Sequence, residues 1–149
     1  MHNGVLYRKQ KGLAAVEMVI VTPILLLLLV GVYEISRIFI QYTVLNKAVQ
    51  SGARYALIDV YGAQPQGALS PTDQIKNVVV YGKKSSGTES EKRLPNLGTS
   101  NVSVDTTDSS HVTITATYSY TPVFAQLPFT TKSLAMDLNA SATMRRVSN

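Results

Sequence analysis

Apolar positions follow two different rhythms along this chain. From Leu13 to Tyr33 they run almost without interruption. No charged residue occurs between Met18 and Tyr33, and five leucines fill positions 25–29. As a helix, about 21 residues cover roughly 30 Å, the hydrocarbon thickness of a bilayer. Pro23 lies inside this run, where it removes one helical hydrogen bond and predicts a kink near Val19. Past Tyr33 the pattern turns amphipathic. Ile35, Ile38, Phe39, Tyr42, Leu45, Val49, Gly52, Ala53, Ala56 and Leu57 recur at three- and four-residue steps, while Arg37, Gln41, Asn46, Lys47, Gln50 and Arg54 take the other face. The expectation is one helix from Leu13 to Tyr61, about 70 Å long, its first half in lipid and its second half packed.

Gly62-Ala63-Gln64-Pro65-Gln66-Gly67 ends that helix, and Ser70-Pro71-Thr72-Asp73 is suited to open a short one. Ile75 to Tyr81 is rich in β-branched residues and fits a strand or the end of that short helix equally well. Lys83 to Thr99, rich in Ser, Gly and Lys, reads as an exposed loop. Strict alternation then appears: Val102 and Val104; Val112, Ile114, Ala116, Tyr118 and Tyr120; Leu134, Met136, Leu138, Ala140, Ala142 and Met144. Three strands, joined through Thr106–Ser110 and Pro122–Thr131, predict a small antiparallel sheet with one apolar face packed on the outer half of the helix. The fold class is α+β, a stalk with a small head. The expected divisions are residues 1–12, a basic leader; 13–34, the transmembrane segment; 35–61, the continuing helix; and 62–149, the head.

The formal charge of +5 changes little in this picture. Arg8, Lys9 and Lys11 are three of the 14 basic residues, and setting them aside leaves 11 against 9 acidic ones. Such a balance carries no nucleic-acid signature. The basic leader instead acts as an orientation signal, placing the amino terminus in the cytoplasm and the head outside. No cysteine is present, which excludes disulfides, thiol catalysis and thiolate metal sites. No A-x-A-like signal-peptidase site follows Leu29. One carboxylate, Glu17, stands at the mouth of the apolar run, and its desolvation calls for a partner.

The segment Lys11-Gly12-Leu13-Ala14-Ala15-Val16-Glu17-Met18-Val19-Ile20-Val21-Thr22-Pro23, with the leucines after it, resembles the TadE-like pseudopilins of the tight-adherence (Tad, or Flp) pilus system. The likeness continues through Gly31, Glu34 and Arg37 to Gly52-Ala53-Arg54-Tyr55-Ala56, and Asn139–Arg145 is similar to the closing strand of such proteins. The resemblance implies cleavage by a prepilin peptidase between Gly12 and Leu13, storage of the mature chain in the bacterial inner membrane, and a part in pilus assembly or initiation that supports adherence and biofilm formation. Glu17 becomes the fifth residue of the mature chain, the position that meets a neighbouring subunit's amino terminus and sets subunit register. The implied partners are the prepilin peptidase, the major Flp pilin, other minor pseudopilins, the inner-membrane assembly platform and membrane lipid. Major Flp pilins carry Glu-Tyr at this place and have short mature chains. Glu17-Met18 and the long head therefore point to a minor subunit.

The remaining residues have plainer accounts. Glu34 and Arg37 are one turn apart at the outer lipid boundary and are placed to pair there, as a snorkelling pair or a subunit contact. Gly52 and Ala53 permit a close approach, most simply by this protein's own sheet. Gly82-Lys83-Lys84-Ser85 fails as a phosphate-binding loop, since Asn77 stands where glycine is required and Lys84 where Ser or Thr is. Lys83, Lys84, Lys92 and Arg93 form a basic loop, solvated or open to an acidic surface or polysaccharide. Asp105, Asp108 and His111 straddle a turn, where Asp serves its own backbone. No catalytic set, cofactor motif or metal motif is legible, so the chain reads as non-enzymatic. Two other readings remain: a type II secretion pseudopilin, and an uncleaved single-span protein with a ligand-binding head.

Overall fold

The structure, a computed structural model, describes residues 7–58, 69–108, 110–124, 126 and 133–145. It is α+β: one long helix, α1 (Tyr7–Ile58), a short helix, α2 (Thr72–Tyr81), and three strands, β1 (Val102–Asp105), β2 (His111–Tyr120) and β3 (Met136–Arg145). The 52-residue α1 starts earlier than the sequence pattern predicts. Arg8, Lys9, Gln10 and Lys11 are good helix formers, and Gly12 costs about 1 kcal/mol, too little to interrupt a helix of this length. The expected end at Tyr61, the turn at Gly62–Gly67 and the leader residues 1–6 lie outside the described residues. The chain divides into two units, Met1–Ser36 with Pro122–Leu134, and Arg37–Thr121 with Ala135–Asn149.

In the second unit the sheet runs in the order β1-β2-β3, antiparallel throughout. Ala116 faces both Val102 and Ala140, Ile114 faces Ala142, and Tyr118 faces Leu138. The predicted inward parity is met along β1 and β2 and from Leu138 to Met144, with Tyr118 and Tyr120 in the core, but Met136 at the start of β3 is exposed and Leu134 falls outside the strand. On the opposite face hydroxyl, carboxamide and carboxylate side chains bond across the strands: Thr113 with Thr143, Thr115 with Ser141, Thr117 with Asn139, and Ser119 with Asp137. These lateral pairs let a face without apolar side chains still contribute to sheet cohesion.

Residues 75–81, ambiguous in the sequence, are helical. Three successive valines have low helix propensity, but Ile75, Val78 and Val79 recur at helical spacing and are buried, so packing overrides propensity. The carbonyl of Pro71 accepts from the N–H groups of Gln74 and Ile75. Gly82 closes the helix at φ +76°, its N–H donating to the Val78 carbonyl at 3.0 Å. The phenol of Tyr55 donates to Gln74 at 2.6 Å, and Ser70 Oγ donates to the Tyr55 carbonyl, tying the start of α2 to the end of α1.

Leu45, Ala48, Val49, Ala53 and Ala56 of α1 join Ile75, Val79, Val112 and Ile114 in one core. A side chain at Gly52 would run into Val79 Cγ2, so the close approach expected there is to α2 first, with Ile114 of the sheet behind it.

Two expectations need correction. The packing stripe was expected from Ile35 onward, yet Ile35, Phe39 and Tyr42 are exposed, as is Ile40, whereas Arg37 and Gln41 are half-buried. The guanidinium of Arg37 lies 5.9 Å from the Tyr120 ring centroid, so an amphipathic cation covers an aromatic where an aliphatic side chain was expected. The loop after α2, expected to be exposed throughout, buries Leu94 and Leu97. Pro95 and Asn96, the latter at φ +62°, turn the chain between them, and the Leu97 N–H returns to the Leu94 carbonyl. Proline followed by an Asn at positive φ is the type II pattern.

In the first unit, α1 up to Ser36 accompanies the segment after β2. The Phe124 N–H donates to Glu34 Oε1 at 2.9 Å, and Gln126 and Ser133 form an antiparallel bridge. The rest of the connection expected through Thr131 lies outside the described residues.

Candidate functional site

The sequence-predicted site residues all lie along α1, and their surroundings follow from its composition. Among the described residues α1 is the one helix long and apolar enough to cross a membrane, over Gly12–Leu57. Leu13 is 74 % exposed, and Val16, Met18, Val19, Ile20, Ile24, Leu25, Leu28 and Leu29 are exposed all round the axis. A surface helix of a water-soluble domain hides one apolar stripe; a helix apolar on every side needs lipid or other helices around it.

Glu17 is exposed within this apolar surface, one turn beyond Leu13. The Gly12–Leu13 peptide bond is part of the helix, and a Cβ at Gly12 would meet nothing. Glycine is therefore not required there by packing within this chain. Pro23 lies inside continuous helix. The hydroxyls of Thr22 and Ser36 fold back on the carbonyls four residues earlier, Met18 and Val32, which keeps two polar groups satisfied on an apolar helix.

Glu34 and Arg37 fall on either side of the unit boundary at Ser36. Glu34 is 1 % exposed and holds the Phe124 amide, while Arg37 caps the Tyr120 ring. Buried Arg37 Nη1 and Gln41 Oε1 make no hydrogen bond. The Phe124 contact was not foreseen in the sequence, since nothing local to residue 34 signals a partner in a distant loop.

The other chemistry-bearing residues are engaged in local structure. Lys83 Nζ pairs with Glu91 and Lys92 with Glu89, each at 2.6 Å, while Lys84 lies over the Tyr55 ring. The Lys83 ion pair and the Thr88 N–H bring the Glu91 carboxyl down to about 2. The basic loop is thus partly neutralised from within.

Asp108, Ser110 and His111 come together. Ser110 Oγ donates to Asp108 Oδ1 at 2.6 Å, and His111 Nδ1 lies 2.8 Å from Ser110 Oγ and 3.0 Å from Asp108 Oδ2. Both partners use the same ring nitrogen. A nucleophile relay needs serine and carboxylate on opposite nitrogens, so this is a turn lock rather than a triad. The Ser110 hydroxyl, its N–H and His111 bring the Asp108 carboxyl down to about 2. Among the described residues no cluster of His, Asp or Glu is arranged to hold a metal.

The model of the TadE family, described as TadE-like protein, matches residues 12–54, the stretch that carries the apolar surface, Glu17, Pro23, Glu34 and Arg37. The resemblance read from the sequence is met over those residues. No curated protein and no solved structure matches the chain.

Proposed function

Because α1 carries a TadE-like segment, we propose that this chain is a minor, non-enzymatic pilin-like subunit of a tight-adherence pilus. It is made as a precursor, cut between Gly12 and Leu13 by a prepilin peptidase, and held in the bacterial inner membrane with its head outside. Its role is to initiate or assist assembly of the fibre that supports adherence and biofilm formation. The observation carrying this reading is the exposed carboxylate of Glu17 inside an otherwise apolar, TadE-like helix surface.

The physical logic is a shared cost. Cleavage frees an ammonium at Leu13, one helical turn from Glu17, or roughly 6 Å along the axis. Both charges are unfavourable in hydrocarbon, and pairing them between subunits offsets that penalty while fixing the stagger of neighbouring helices. Gly12 supports the cleavage step: glycine is the residue that most readily leaves helical geometry, and a peptidase requires an unwound backbone. Pro23 assists in the same way where the helix must bend on leaving the bilayer. The partners follow: the peptidase, the major Flp pilin, sister minor pseudopilins and the membrane assembly platform.

Deleting the chain from a tight-adherence-competent host tests the role. Loss of surface pili, restored by the full-length chain, is the expected result. Normal piliation and adherence after deletion overturn it.

A further inference from the structure

The connection after β2 has an unusual composition for a loop. From Thr121 it reads Thr-Pro-Val-Phe-Ala-Gln-Leu-Pro-Phe-Thr-Thr, and no charge appears before Lys132. Loops that run over a wet surface are ordinarily polar, and adjacent exposed apolar side chains mark contact with something other than water. Val123 and Phe124 are 55 % and 39 % exposed.

A hydrogen bond ties this segment to α1. The Phe124 N–H donates to Glu34, and Glu34 is the residue at which the charge-free run Met18–Tyr33 ends. The loop is therefore moored where α1 leaves hydrocarbon, beside exposed Val32, Tyr33 and Ile35, and its own apolar side chains continue that surface. The mooring has a further merit at this depth. A backbone N–H near lipid needs an acceptor, and the carboxylate supplies one that water cannot be relied on to provide.

We propose that Val123 and Phe124 form a second membrane contact, seated in the headgroup–acyl boundary of the leaflet at the Glu34 end of α1. The occupant of this surface is the bilayer itself, and the proposal rests on α1 being the membrane helix. Two contacts at one leaflet restrict rotation of the chain about the helix axis, which a single span does not. Aromatic side chains suit that depth.

The chain has no tryptophan, so Phe124→Trp introduces a sole tryptophan, excited selectively over the tyrosines, without touching the backbone bond to Glu34. The full chain is reconstituted in phosphatidylethanolamine–phosphatidylglycerol vesicles whose acyl chains carry bromine either near the headgroup or near the bilayer centre. Leu26→Trp serves as the reporter for α1, and Val123→Trp repeats the loop measurement if Phe124→Trp does not fold. The expected result is blue-shifted emission at position 124, lost more to shallow bromine than to deep, with position 26 quenched most by deep bromine. Quenching at 26 together with iodide-accessible, red-shifted emission at 123 and 124 overturns the loop contact and leaves the membrane helix standing. Emission there that neither iodide nor bromine reaches also overturns it, since protein then covers the loop. An unquenched reporter at 26 in the folded, vesicle-associated chain removes the membrane reading and the proposal with it.

Discussion

Phe124 donates its backbone N–H to Oε1 of Glu34 over 2.9 Å, joining residues 90 apart in the chain. Glu34 is thereby a structural residue of the first unit as well as the first charged residue after the apolar run. Hydrogen bonds to charged groups contribute about 1.5–3 kcal/mol, and a buried N–H left without an acceptor loses a similar amount. Glu34→Ala is expected to release the loop by that order, whereas Glu34→Gln keeps an acceptor and costs less. Hydrogen exchange of the Phe124 amide in the detergent-solubilised chain checks this. Unchanged protection in Glu34→Ala contradicts it.

Gly52 is set by Val79. An alanine gains about 1 kcal/mol of helix propensity, but overpacking a dense core costs about 1–3 kcal/mol. Val79 is β-branched and fully buried, so it has little room to retreat. Gly52→Ala is expected to lower the thermal midpoint, and pairing it with Val79→Ala is expected to lose less than the sum of the two changes. A raised midpoint in Gly52→Ala shows that the core yields.

Acid acts on the head through exposed carboxylates held below their ordinary values, Glu89, Glu91, Asp105 and Asp108 among them. Asp108 and Glu91 are both brought down to about 2, from ordinary values of 3.8 and 4.5, by their hydroxyl, amide and lysine partners. Lowered folded-state values mean that their contribution is complete above the unfolded values and is lost as pH falls toward 2. The 108–111 turn and the loop around Thr88–Glu91 are thus expected to remain ordered at pH 5 and to loosen only in that acid window. Carboxyl carbon shifts followed by NMR read the midpoints directly, and an Asp108 midpoint at or above 3.8 removes the turn lock.

Glu17 is expected to matter to assembly and not to folding, because it is exposed in the isolated chain. Glu17→Ala should be processed normally and should co-purify poorly with the other pilus components. Normal co-purification takes the register role away from this residue.

Much of the fold is legible where a period is strong. The membrane-length run and the alternation of Val112, Ile114, Ala116, Tyr118 and Tyr120 each dictate an element, because burial must match the helical or strand repeat. Residues 75–81 were not decidable, since three valines and helical spacing point in opposite directions until α1 supplies a surface to pack on. Leu94 and Leu97 were hidden in a polar loop, although Pro95-Asn96 between two leucines is a turn signal that brings both inward. The inversion around Arg37 and Ile35 has another origin. Beside a membrane, exposed aliphatic side chains carry no penalty, so the usual rule for which helical face packs inward no longer holds there. Of the candidate site, the residues of α1 were readable from their own neighbours. The Glu34–Phe124 contact was not, because it joins distant segments with no local signature.

The most direct test of the pilin-like account is the intact mass and amino-terminal sequence of the chain taken from its native membrane, with and without its prepilin peptidase. The account predicts a mature chain starting at Leu13 that disappears when the peptidase is absent. A chain that keeps residues 1–12 in the presence of an active peptidase contradicts it, and leaves Glu17 a solitary carboxylate with no new ammonium to meet.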